Sequence, residues 1–220
     1  MMQRIRSALG KVRDQKGFTL VEMALVLIII GIIIGAIVKG KDLVRGAEQK
    51  RIYSKFLSGW RLAYLNFYDR TGQILGDQHN GTGEGQDGQA DTEDTGAAPD
   101  NPGRAELVTG DTDGTVNYLG LNNAGLNPPP TNTGNAYTYN YVNSAGNTNV
   151  LTIAFDWASG VGANYNFMEI QNIPSELAMA IDTMIDGQAN GNGGDFLNGA
   201  GGAWSTTATD TSTARWKMQF

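Results

Sequence analysis

The sequence predicts an α+β protein in which one long N-terminal α-helix packs against a small antiparallel β-sheet. Three observations carry that expectation. Residues 18–38, FTLVEMALVLIIIGIIIGAIV, form an apolar run whose one charge is Glu22. Apolar residues then recur at threes and fours from Leu43 to Tyr68 with no proline among them, which is the period of an amphipathic helix. In the C-terminal half the period changes to two. Tyr137, Tyr139 and Tyr141 alternate, as do Leu151, Ile153, Phe155 and Trp157, and that is the period of half-buried strands.

The apolar run is 21 residues long, enough for a helix to cross about 30 Å of hydrocarbon. Thr71-Gly72 supplies a stop, so the helix is expected from Phe18 to about Asp69, roughly 78 Å at 1.5 Å per residue. Its second half carries an aromatic stripe, Tyr53, Phe56, Trp60, Tyr64 and Phe67. That stripe reads as core under a globular head and contains no cofactor box.

In the head, Asn143 to Asn149 is turn-rich around Ala145-Gly146-Asn147 and joins the two alternating runs into a β-hairpin. Tyr165 to Ile170 is expected as a third strand and Trp216 to Phe220 as a fourth. Pro174-Ser175-Glu176 opens a short helix with Leu177, Met179, Ile181, Met184 and Ile185 as its apolar positions. Residues 72–103 contain glycines and seven acids but no Lys or Arg. With almost nothing there to build a core, they read as a solvated loop.

A chain of 220 residues, 17% of them charged and 40% hydrophobic, suits one domain with a modest core. The net charge of −6 hides an asymmetry. Residues 1–17 carry five basic side chains against Asp14 alone, net +4, which leaves −10 on the rest. A basic head, an apolar run and an acidic body are the layout of a membrane-targeted chain. The acidic body argues against nucleic acid as a partner, since phosphate binding needs basic surface. With no cysteine, no disulfide staples the head.

The apolar run admits a secretory signal peptide, a plain anchor or a more specialised segment. A signal peptide has a shorter apolar core followed by a small-residue cleavage site, whereas here Lys39-Gly40-Lys41 follows. A plain anchor gives no reason for Glu22, because a carboxylate in hydrocarbon is costly unless it is paired.

Lys16-Gly17-Phe18-Thr19-Leu20-Val21-Glu22-Met23 resembles the N-terminus of type IV prepilins and type II secretion pseudopilins. The resemblance implies that a membrane peptidase cuts between Gly17 and Phe18 on the cytoplasmic side and methylates Phe18. Residues 1–17 are then a cleaved cytoplasmic leader, and Glu22 is the fifth residue of the mature chain. The expected organisation follows: residues 18–38 a transmembrane and filament-core helix, 39–71 its amphipathic continuation, 72–104 a Gly/Asp-rich loop, and 105–220 a globular pilin head. In a filament, the new amine at Phe18 and Glu22 of a neighbouring subunit neutralise one another, and a desolvated pair is far stronger than an exposed one. Glu22 would thereby pin the register between subunits, as a buried polar residue does in a coiled coil.

Gly31 and Gly35 form a Gly-x-x-x-Gly pair, which either permits close helix packing or is simply tolerated. Many family members carry a proline soon after this point; here Lys39-Gly40-Lys41 replaces it, so any kink rests on Gly40. Phe67 to Gly72 with Leu75-Gly76-Asp77, and Asp182 to Gly187, resemble stretches of one prepilin subgroup, although its proline before Gly76 is missing.

Asp186-x-Gln188-x-Asn190-Gly191 has the first half of a calcium-loop spacing, but the twelfth place is Leu197 instead of Glu. Some pseudopilins carry calcium in this region, which makes Asp186, Asn190 and Asp195 the candidate ligands. A plain glycine-rich loop is the competing reading, and no other cofactor is implied. No nucleophile–base–orienter set is visible, there is no phosphate-binding motif, and His79, the one histidine, lies in the polar loop. Nothing proposes an enzyme.

The resemblance implies a single-pass precursor in the bacterial inner membrane, its head outside the cytoplasm, and then an extracellular or periplasmic filament. Its partners would be identical or related pilin subunits, the prepilin peptidase, an inner-membrane assembly platform with its ATPase, and the membrane. The expected function is a structural subunit of a type IV pilus-like filament, processed and N-methylated by the prepilin peptidase. Two alternatives stand beside it: a type II secretion pseudopilin, and a monomeric membrane-anchored periplasmic binding domain.

Overall fold

The computed structural model describes residues 17–77, 88–90, 104–110, 119–158 and 164–218. The leader before Gly17, His79, most of the acidic loop and the last two residues lie outside the described residues. The chain divides into two compact units, Met1–Gly46 and Ala47–Phe220.

Helix runs without a break from Leu20 to Thr71, as α1 (Leu20–Arg51), a π-helical segment (Ile52–Leu57) and α2 (Ser58–Thr71). It ends where the sequence places the stop: Gly72 adopts φ 72° and its N–H closes on the Tyr68 carbonyl. A left-handed residue after the last turn is the ordinary way to end a helix, and glycine adopts it without strain. The π-helical segment was not legible in the sequence. There the Ser58 N–H donates to the Tyr53 carbonyl, five residues back, which widens the turn and brings Ile52, Phe56 and Leu57 to the buried side together.

Four further elements lead up to and include the sheet's central strand. A single turn, α3 (Glu106–Thr109), is followed by β1 (Thr138–Val142), β2 (Thr148–Ala158) and β3 (Tyr165–Pro174). Helix α4 (Ser175–Asp186), β4 (Phe196–Asn198) and β5 (Thr211–Lys217) complete the head. The five strands form one antiparallel sheet in the order β1-β2-β3-β5-β4. The expected hairpin is β1–β2, with Tyr139 opposite Leu151 and Tyr141 opposite Asn149. Asn143 makes its turn: the side-chain Oδ1 accepts from the N–H groups of Ala145 and Asn147, and Gly146 takes φ 87°.

One face of the sheet covers the helix. Leu151, Ile153 and Phe155 of β2 pack with Phe56, Trp60, Tyr64 and Phe67 in a single buried cluster. The Tyr64 and Phe155 rings stack at 5.0 Å, and Phe56 meets Tyr139 at 5.1 Å. Aromatic pairs at such distances add about 0.5–1.5 kcal/mol each beyond the area they bury. Gly59 lets the helix approach Pro129 closely, because a Cβ there would stand 2.8 Å from Pro129 Cβ.

The structure corrects three expectations. The last strand is Thr211–Lys217, not Trp216–Phe220; its buried side chains are only Ala214 and Trp216, too sparse for alternation to announce it. The edge strand Phe196–Asn198 was not foreseen, since three residues carry no period. The loop after α2 is not wholly solvated, because Leu75 and Ala90 are fully buried and Ile74 nearly so. Asn166 holds the Gly88–Ala90 piece in place, accepting from the Ala90 N–H and donating to the Gly88 carbonyl.

Candidate functional site

The N-terminal segment starts with a cap. Thr19 precedes the first helical residue, Leu20, and its Oγ1 accepts from the Glu22 N–H at 3.2 Å. Glu22 Oε2 reaches back to accept from the Thr19 N–H at 2.8 Å and from its hydroxyl at 2.9 Å. This is a capping box: the first N–H groups of a helix have no partner within it, and the reciprocal Thr–Glu pair satisfies two of them. The sequence signal for it is Thr-x-x-Glu ahead of an apolar run.

Phe18 is 82% exposed, and nothing lies within 4 Å of a Cβ built on Gly17, Gly31 or Gly35. The two helix glycines are four residues apart and so share a face. No residue of α1 is buried, although it carries a succession of large apolar side chains, among them Leu20 (90% exposed) and Leu43 (77%). An uncovered apolar surface of this kind marks a place where lipid or protein must pack. By length and composition the helix is able to cross a membrane. The structure therefore gathers Phe18, Thr19 and Glu22 at one helix start and leaves Gly31 and Gly35 open on its flank.

Residues 12–38 match the family model of the prokaryotic N-terminal methylation motif. That motif is the class III signal peptide of type IV pilins and pseudopilins. Together with the apolar helix that follows it, the motif fits a membrane-anchored precursor. The match covers the N-terminal segment only, and the antiparallel sheet behind a long helix is consistent with a pilin-like α+β fold. Neither a curated protein nor a solved structure matches the chain.

The second candidate site, the loop after α4, is built around carboxylates of that helix. Asp186 accepts from the Asp195 N–H on both oxygens at 3.0 Å, and from the Phe196 N–H at 2.8 Å. Gly194 takes φ 95° and lies so close that a Cβ on it would stand 2.4 Å from Asp186 Oδ2. One turn earlier, the buried Asp182 accepts on Oδ2 from the Gly191 N–H at 2.9 Å and from Trp204 Nε1 at 2.6 Å. Burial pushes the Asp182 carboxyl above the ordinary carboxylate range; the N–H groups of Trp204 and Gly191 oppose the shift and the nearby Asp186 adds to it.

For calcium the fit is poor. Calcium takes six to eight oxygens, yet both Asp186 oxygens are engaged by backbone N–H groups, and Asn190 Oδ1 accepts from the Asn192 N–H. Lys217 also brings its ammonium to the Gly194 carbonyl at 2.7 Å. Among the described residues no group of three or more His, Cys, Asp or Glu comes together to hold a metal ion. Asp182 was not singled out in the sequence, because its role depends on Trp204, 22 residues away.

Proposed function

We propose that this chain is a prepilin whose mature form is a structural subunit of a type IV pilus-like filament. The observation that carries the reading is the N-terminal methylation motif at the start of a helix that buries none of its own residues. Such a helix is stable in a bilayer as a precursor and in a bundle of like helices afterwards. Prepilin peptidase removes residues 1–17 and methylates Phe18. The assembly platform then draws the subunit from the membrane into the filament. There Glu22 accepts the Phe18 amine of a neighbouring copy, and Gly31 and Gly35 let helices approach closely.

Intact mass and N-terminal peptide mass on protein from the native cell envelope test the reading. A chain that starts at Phe18 with one added methyl is expected. A chain that starts at Met1 or Met2 overturns it and favours an anchored, monomeric binding domain. A type II secretion pseudopilin has the same N-terminus, so the sheared surface fraction decides between them. Processed subunit in that fraction supports the pilus, and processed subunit confined to the envelope supports the secretion filament.

A further inference from the structure

The charge of the mature region is sharply divided. Residues 39–55 carry six basic side chains against Asp42 and Glu48, net +4, while residues 56–220 carry five basic against eighteen acidic, net −13. At the end of the basic stretch lies an open pocket of about 290 Å³, lined by Arg51, Lys55, Pro130, Thr131 and Tyr139. Arg51 and Lys55 are four residues apart on the helix and both are exposed. Glu48, the acid paired with Arg51 among the described residues, is already engaged. It accepts from the Tyr139 hydroxyl at 3.0 Å and meets Arg51 in a long 3.4 Å contact on the surface. Lys55 makes no ion pair among the described residues.

We propose that this pocket seats a carboxylate side chain from the acidic head of a second copy of the chain, forming an ion-paired contact between subunits. The inference rests on the filament reading above and adds a head-to-helix contact to it. Two cations about one turn apart suit a single carboxylate. Charge complementarity favours the second copy, because the excess of acid lies on the same polypeptide. Lipid headgroups fit less well. Lys55 follows Val38 by 17 residues, about 25 Å along a helix, whereas a headgroup layer is about 5–8 Å deep.

The test uses filaments sheared from cells that express the full chain and treated with a zero-length carbodiimide, which joins an amine to a carboxylate already in contact. The expected result is a covalent dimer whose cross-linked peptides join Lys55 to an Asp or Glu of the head. Lys55→Arg keeps the charge and removes the reactive amine, so filaments persist and that dimer disappears. The double reversal Arg51→Glu with Lys55→Glu leaves the mature N-terminus at Phe18 and the head protease-resistant, but lowers sheared filament by about tenfold or more. The proposal is overturned if the dimer survives Lys55→Arg, or if the double reversal assembles at the level of the unsubstituted chain. Protection of Lys55 from amine acylation in membranes but not in filaments also overturns it and assigns the pocket to lipid. If the unsubstituted chain is processed yet forms no filament, the filament reading fails, and this contact fails with it.

Discussion

Replacing Asp182 by alanine removes the acceptor from which the C-terminal loop hangs. Two N–H groups lose their partner, that of Gly191 and the indole of Trp204. Hydrogen bonds to a charged group are each worth about 1.5–3 kcal/mol, so the gross loss is roughly 3–6 kcal/mol. Part of that returns, because Asp182 Oδ1 is buried with no hydrogen-bond partner among the described residues, and deleting it relieves about 1–3 kcal/mol of desolvation. The net expectation is a loss of about 2–4 kcal/mol, or roughly 5–15 °C in Tm for a domain of this size. Asp182→Asn keeps an oxygen for both donors and removes the buried charge, so it should stay within about 1 kcal/mol of the parent. The pH dependence follows from the raised carboxyl. The folded state holds this proton more tightly than the unfolded chain, so the contribution is fully present below the unfolded pKa and is lost as pH rises through the folded one. Asp182→Asn should lose that part of the slope. Thermal unfolding of the full chain in detergent, followed by tryptophan fluorescence from pH 4 upward, measures all three. Equal melting of Asp182→Ala and parent, or an unchanged pH slope in Asp182→Asn, would refute the reasoning.

Three other perturbations have definite expectations. Glu22→Ala should insert and be processed normally yet incorporate poorly into sheared filaments, because breaking a desolvated pair costs about 3–5 kcal/mol; filament yield equal to the parent would sink the pairing. Trp60→Ala, at a fully buried position beside Phe155, should cost about 3–5 kcal/mol in denaturant unfolding. Adding millimolar calcium should move Tm by less than about 1 °C, since a ligand stabilises only by binding the folded form; a concentration-dependent rise would restore Asp186, Asn190 and Asp195 as ligands.

The sequence made legible whatever rests on a sustained period. The helix from the apolar run to Gly72, the hairpin around Gly146 and the helix opening at Pro174 each follow from several residues in register. Features set by one or two distant contacts were hidden. Ala90 is core because Asn166, 76 residues on, takes its N–H. Ser175 begins α4 with its N–H on the Asp210 carbonyl, and only the folded sheet brings Asp210 there. The π-helical turn at Ile52–Leu57 likewise answers to the sheet. It brings Phe56 and Leu57, adjacent in sequence, into one core, which helical spacing alone does not predict. At the N-terminal site the residue types were readable and the geometry was not. The charge on Glu22 suggests a distant partner, while its nearest partner is Thr19, three residues away.

That local partner constrains how the proposed intersubunit pair would work. A carboxylate already held on one oxygen by a neighbouring hydroxyl and N–H has lost most of its rotamer freedom before any second chain arrives. Glu22 Oε1 has no hydrogen bond among the described residues, so a single lone oxygen is presented while Oε2 keeps the helix start capped. An amine that approached Oε2 would have to displace two hydrogen bonds and leave the Thr19 N–H and hydroxyl without their acceptor, whereas one that approaches Oε1 displaces none. In the proposed pairing, the same three-residue spacing that starts the helix would select which oxygen of the carboxylate a neighbouring subunit uses. It would also tie Thr19, a residue with no charge of its own, to the register of the proposed filament.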